Sequence, residues 1–136
     1  LDGFENALAD TGLSESQKYM RKCTNDITAA RELFLSLRKE VREFDAVITS
    51  DDSLAAGAVK YANTMGISIP DELSIIGYNN SILSLCSDPE LTSIDSKVEA
   101  LCTTTVNTLM GVFSGGNVPS RTTIAADLIK RETTNF

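Results

Sequence analysis

The stretch "FDAVITSDDSLAAGAVKYANTMGISIPDELSIIGY", residues 44–78, restricts the fold more than any other part of the chain. Its opening "FDAVITS", 44–50, is a compact apolar run rich in β-formers and too short for a helix, which suits a buried parallel strand. "SLAAGAVKYANTMG", 53–66, then sets Leu54, Ala58, Tyr61, Ala62 and Met65 along one helical stripe and stops at a glycine. After the turn-forming "IPDE" comes a second buried-looking strand, "ELSIIGY" at 72–78. Strand, helix and strand in so short a length make a right-handed crossover unit with parallel strands.

The rest of the chain extends this pattern. "DGFENALADTG", 2–12, reads as an amphipathic helix closed by Gly12, "YMRKC", 19–23, as a short strand, and "NDITAARELFLSLRKEV", 25–41, as an amphipathic helix that Asn25 or Asp26 can cap. Beyond residue 78, "LTSI" at 91–94 is a strand candidate, "KVEALCTTTVNTLMGVFSGG" at 97–116 a helix, and "RTTIAADLIKRETT" at 121–134 a final strand. The expected class is α/β, an open parallel sheet with helices on both faces, in one unit spanning 1–136. In such sheets ligands bind beyond the carboxyl ends of the strands. Because the first helix starts abruptly with no cap ahead of it, an upstream part is expected to be missing.

Composition removes several function classes. A net charge of −7 argues against direct contact with nucleic acid, which depends on clustered Lys and Arg. Histidine is absent, which removes the commonest general base and most catalytic zinc sites while leaving carboxylate and lysine chemistry open. Cys23, Cys86 and Cys102, odd in number and widely spaced, read as reduced thiols in core or half-buried positions. There is no membrane-length apolar run and no signal-peptide order at the start, so a cytoplasmic address is expected.

Asp51 and Asp52 follow the 44–49 strand, and "GYNNS", 77–81, follows the 72–76 strand, so both groups belong to one rim of the sheet. Asp52, directly before Ser53, is the expected helix cap. Asp51, one residue back, faces either the crevice or solvent. Adjacent residues at a strand end point in opposite directions, which weakens an acid/base pair, and a metal would need further donors from "GYNNS". Tyr78 is either packing or a stacking surface, and Asn79 either bonds a ligand hydroxyl or stabilises a turn. No metal and no cofactor is implied.

The ordered set of phrases, "VITSDDSLAAGAV", "IPDELSIIGYNN", "LTSI" at 91–94 and "LIKRETT" at 128–134, with "LDGFENAL" at the start, resembles the effector-binding domain of lactose-repressor-type (LacI/GalR) transcriptional regulators. That resemblance implies a two-lobed, periplasmic-binding-protein-like fold of type I, in which a sugar or other small molecule binds between lobes and modulates operator affinity. The chain would supply the C-terminal lobe, with the helix at 97–116 packing against the other lobe. The DNA-binding headpiece would lie outside it, and the protein would not be an enzyme. Carried over position by position, Asp51 and Asn79 become effector contacts, with charge exchanged relative to the family's usual Asn and Asp. Tyr78, Asn25 (or Thr24) and Ser96, with Val98 beside it, fall near the remaining ligand or crossover positions. A homodimer would use Leu54, Ala58 and Tyr61 of the 53–65 helix and Ile82, Leu83 and Leu85 of the 81–87 segment. The rival readings are a sugar-binding protein of the periplasmic type and an α/β enzyme using Asp51 and Asp52.

Overall fold

The computed structural model describes residues 2–13 and 20–136. In chain order the elements are α1 (Asp2–Asp10), α2 (Ile27–Ser36), β1 (Ala46–Ile48), α3 (Asp52–Met65), β2 (Ser74–Tyr78), α4 (Ile82–Cys86), β3 (Thr92–Asp95), α5 (Val98–Phe113) and β4 (Asp127–Ile129), with a 3-10 turn at Val41–Glu43. The sheet runs β1-β2-β3-β4. Its first three strands are parallel, with Ile48 beside Ile76 and Tyr78 beside Ile94, and β4 closes the edge antiparallel, with Leu128 beside Ile94.

Local chemistry accounts for the helix ends. The Asp26 side chain accepts a hydrogen bond from Ala29 N at 2.8 Å and starts α2. Gly66, at φ 67°, takes the left-handed conformation that ends α3, and its N–H donates to Ala62 O. Between those ends, α3 lies over one face of the sheet and α2 over α3. Their close approach depends on Gly57, where a Cβ would come within 2.5 Å of Ala30 Cβ and 2.7 Å of Ile27 O.

The core forms where α3, the strands and the chain after α2 meet. Tyr61, Leu73, Ile75, Leu91, Val41, Ala55, Ala58 and Val59 are buried together, with Phe34, Leu37 and Val47 packed against them. Alternation along β2 turns Ile75 and Gly77 towards α3, and Ile76 and Tyr78 to the opposite face, where they are half-buried. The C-terminal segment returns to the sheet through Thr133, whose O accepts from Ile75 N at 2.9 Å and whose Oγ1 donates to Ile75 O at 2.6 Å.

Several expectations are corrected. Residues 20–23 form no strand, and residue 19 lies outside the described residues. The last strand shrinks to Asp127–Ile129 and runs antiparallel, so the sheet is not wholly parallel. Cys23, Cys86 and Cys102 are exposed thiols, not core residues. Cys102 sits on α5, which contributes no buried residue at all. Ala58 and Tyr61, expected at a dimer surface, are fully buried, and Tyr61 stacks on Phe34 with centroids 5.6 Å apart. An apolar helical stripe looks the same in sequence whether it faces a core or a partner.

Candidate functional site

The β1–α3 and β2–α4 junctions lie side by side because β1 and β2 are parallel neighbours. That adjacency brings Asp51 and Asn79, 28 residues apart in sequence, into direct contact: Asn79 Nδ2 donates to Asp51 Oδ2 at 2.8 Å. Asp51 is half-buried and Asn79 exposed, so the pair sits on the open rim.

The cap is Asp51, not Asp52. Asp51 has extended backbone (φ −161°, ψ 148°), and its Oδ1 accepts from Ser53 N at 2.9 Å and from Ser53 Oγ at 2.6 Å. One oxygen therefore caps α3 while the other meets Asn79. Partial burial alone would raise the Asp51 pKa. Hydrogen bonds from Ser53, Asn25 and Asn79 outweigh it and hold the carboxyl below its ordinary value.

Asp52 is wholly buried, and its side chain turns away from the rim towards the base of the β2–α4 loop. Its Oδ2 accepts from Ser81 N at 2.6 Å and Ser81 Oγ at 2.8 Å, and its Oδ1 from Ser93 Oγ at 2.6 Å. Gly77 leaves the space this carboxyl occupies, since a Cβ there would collide with Asp52 Oδ1. The two aspartates therefore do not converge on one substrate atom, and an acid/base pair has no geometry to act through. Among the described residues no group of three His, Cys, Asp or Glu is placed to hold a metal.

The loop after β2 carries two consecutive non-glycine residues in the left-handed region, Asn79 at φ 97° and Asn80 at φ 48°. Asparagine tolerates that conformation better than most residues. Asn80 Oδ1 accepts from Arg131 Nη2 at 2.7 Å, and Arg131 Nη1 donates to Leu91 O at 2.7 Å. Arg131, Ser81 and Ser93 were not singled out in the sequence. The one signal pointing to them is Gly77, a missing side chain inside a strand, which marks a place where another group comes close.

The other proposed contacts scatter around this pair. Asn25 is exposed at the start of α2, its Oδ1 3.0 Å from Ser53 Oγ, which places it on the same rim. Tyr78 ends β2 on the face away from Asp52. Ser96 is half-buried between β3 and α5, and Val98 is exposed. Beside Ser96, Lys97 (φ 54°) pairs with Asp127 at 2.7 Å and Asp95 at 3.5 Å, tying the exit from β3 to the entry of β4. The Asp127 bond, reinforced by Asp95, raises the Lys97 pKa, and the Lys97 N–H and ammonium lower that of Asp95. An open cleft of about 730 Å³ begins here, lined by Asn80, Asp95, Lys97 and the first turns of α5. On α4, Ile82 is 69% exposed and Leu85 52%, Leu83 is half-buried, and Leu54 on α3 is half-buried.

Comparison with known proteins places this geometry in context. A family model described as a periplasmic binding protein-like domain matches residues 1–134. An HTH-type transcriptional regulator of Lachnoclostridium phytofermentans is 48% identical over 136 residues, covering all of this chain and 41% of that protein. The chain thus spans about two fifths of that relative's length. Among solved structures, the transcriptional repressor AscG of Escherichia coli superposes with a TM-score of 0.86 at 25% identity, covering 97% of this chain and 48% of the other. A LacI family transcriptional regulator from Arthrobacter sp. FB24, in complex with lactose, gives 0.84 at 25% identity, covering 96% and 48%.

Proposed function

The chain belongs to the periplasmic binding protein-like domain family, in the form carried by LacI/GalR-type regulators, and from that premise we propose that it is the C-terminal, effector-sensing lobe of such a regulator. The observation that carries the reading is the Asp51–Asn79 contact at the carboxyl ends of two parallel strands, where open α/β sheets take their ligands. A carboxyl held in its charged form accepts hydrogen bonds, and an exposed amide both donates and accepts. Together they suit a neutral, polyhydroxylated ligand such as a sugar. Asn25 and Ser96 extend the same rim, and Tyr78 lies at its back.

In this reading the effector is closed in by a second lobe, against which α5 packs, and the protein performs no catalysis. The burial of Asp52, away from Asp51, supports the last point. DNA is contacted by a helix-turn-helix unit outside these 136 residues, consistent with the net charge of −7. Homodimerisation uses Ile82 and Leu85 of α4 together with Leu54, and the protein works in the cytoplasm. Among the described residues no helix is long and apolar enough to cross a membrane. A sugar-binding protein of the periplasmic type would share the fold, but the 48% identical relative is named a transcriptional regulator.

The test is calorimetric titration of a panel of neutral mono- and disaccharides, lactose included, against the full-length protein, with both lobes present, and its Asp51→Ala and Asn79→Ala variants. The binding sugar should lose at least about tenfold in affinity with each substitution, the size expected when a hydrogen-bonding partner of the closed-in ligand is removed. Unchanged affinity in both variants would mean that the rim pair is not the contact.

A further inference from the structure

We propose that the buried carboxyl of Asp52 is the positioning residue for Asn79, acting through the β2–α4 loop. The inference rests on the pocket reading only in giving Asn79 a ligand to meet; the positioning itself is a property of the free chain. Three consecutive backbone N–H groups leave β2 and turn inward: Asn79 N donates to Ile94 O at 2.8 Å, Asn80 N to Ser93 Oγ at 3.0 Å, and Ser81 N to Asp52 Oδ2 at 2.6 Å. Two of these three end at Asp52, one directly and one through Ser93 Oγ, which in turn donates a hydrogen bond to Asp52 Oδ1. The hydroxyl of Ser93 thus accepts from the loop and donates to the carboxyl at once.

This support is needed because Asn79 and Asn80 both hold positive φ, a conformation a free loop of L-residues leaves readily. With Ser81 pinned on one side and the β2–β3 ladder on the other, the backbone at 79 has one path, and that path sets the Asn79 amide over Asp51 Oδ2. Asp52 suits the task because it is fully buried, because Gly77 yields it the space, and because it begins the same helix that Asp51 caps. The neighbouring aspartates divide the work: Asp51 meets Asn79 on the rim, and Asp52 delivers Asn79 to it from below.

The test is 15N–1H NMR on the 136-residue chain without ligand, comparing it with Asp52→Asn and Ser93→Ala. In both variants the Asn79 side-chain amide pair should move to the shifts of a solvent-exposed asparagine, while backbone amides of Ile75 and Ile76 keep their protection from exchange. Ser93→Ala takes away the hydroxyl that links Asn80 N to Asp52 Oδ1 and keeps the carboxyl in place, so it reports even if Asp52→Asn fails to fold. Unchanged Asn79 signals would overturn the proposal, as would a loss of protection spread evenly over β2, which is what a purely structural role produces. Failure of the pocket reading shows separately, as a sugar that binds the full-length two-lobed protein equally well after Asp51→Ala and Asn79→Ala.

Discussion

Asp51 and Asp52 differ in environment far more than their adjacency suggests, and each environment makes its own prediction. Asp51 has a depressed pKa because hydrogen bonds from Ser53, Asn25 and Asn79 outweigh partial burial. A folded value below the unfolded one means that its stabilising effect is fully present above the unfolded value of about 4 and is lost as pH falls through the folded value. Asp51→Asn should therefore flatten the acid side of the stability profile, read as urea midpoints between about pH 5 and pH 2, with little change in slope near neutrality. For Asp52 the constraint is space. Gly77→Ala drives a methyl group into Asp52 Oδ1, and overpacking of a buried site should cost about 1–3 kcal/mol by urea denaturation. A neutral outcome would mean the carboxyl moves aside freely. The rim location of the pair was legible from the order of strand and helix. That Asp51 also takes the cap while Asp52 is buried was not, because a cap is decided by which residue keeps extended backbone, and either aspartate fits the sequence pattern.

At the scale of elements, α3 was the most legible piece: its apolar stripe and its Gly66 stop predict nearly the observed bounds, Asp52–Met65. The direction in which that stripe faces was not legible. Ala58 and Tyr61 look inward because α2 lies across α3, and what lets α2 so close is Gly57, whose position has no signature in a hydrophobic pattern. Here helix propensity and packing pull in opposite directions. In an exposed helix interior, Gly→Ala gains up to about 1 kcal/mol. At Gly57 the added methyl meets Ala30 Cβ and the Ile27 carbonyl, so Gly57→Ala should instead destabilise by roughly 1–3 kcal/mol. Thermal unfolding checks the sign, and a stabilised variant would show that the two helices slide apart without penalty. The short strands were harder to bound. β4 was expected over 121–134 and occupies Asp127–Ile129, because Thr133 leaves the edge to complete hydrogen bonds at Ile75. Such tertiary capture overrides an alternating pattern.

Across the whole molecule, burial is uneven, and stability should follow it. Tyr61, Leu73, Ile75 and Leu91 are sealed between α3 and the strands. By contrast, α5 buries nothing: Leu109 is 51% exposed, Met110 60% and Phe113 82%. The apolar content of 97–116 was plain in the sequence, and because the resemblance gives this helix a partner surface outside the chain, an exposed apolar face was expected. The resistance of this chain to unfolding should then reside in the α2–α3–sheet body, with α5 contributing little. Tyr61→Ala removes a buried ring stacked on Phe34 and should cost about 3–5 kcal/mol. Leu109→Gln, which opens no cavity, should fall within about 0.5 kcal/mol of the unmodified chain. Amide exchange gives an independent reading of the same contrast: the α3 amides should open only with the whole domain, and those of α5 at a smaller free energy. Equal costs for the two substitutions, together with equal protection of the two helices, would show that α5 is part of the cooperative core despite its exposed surface.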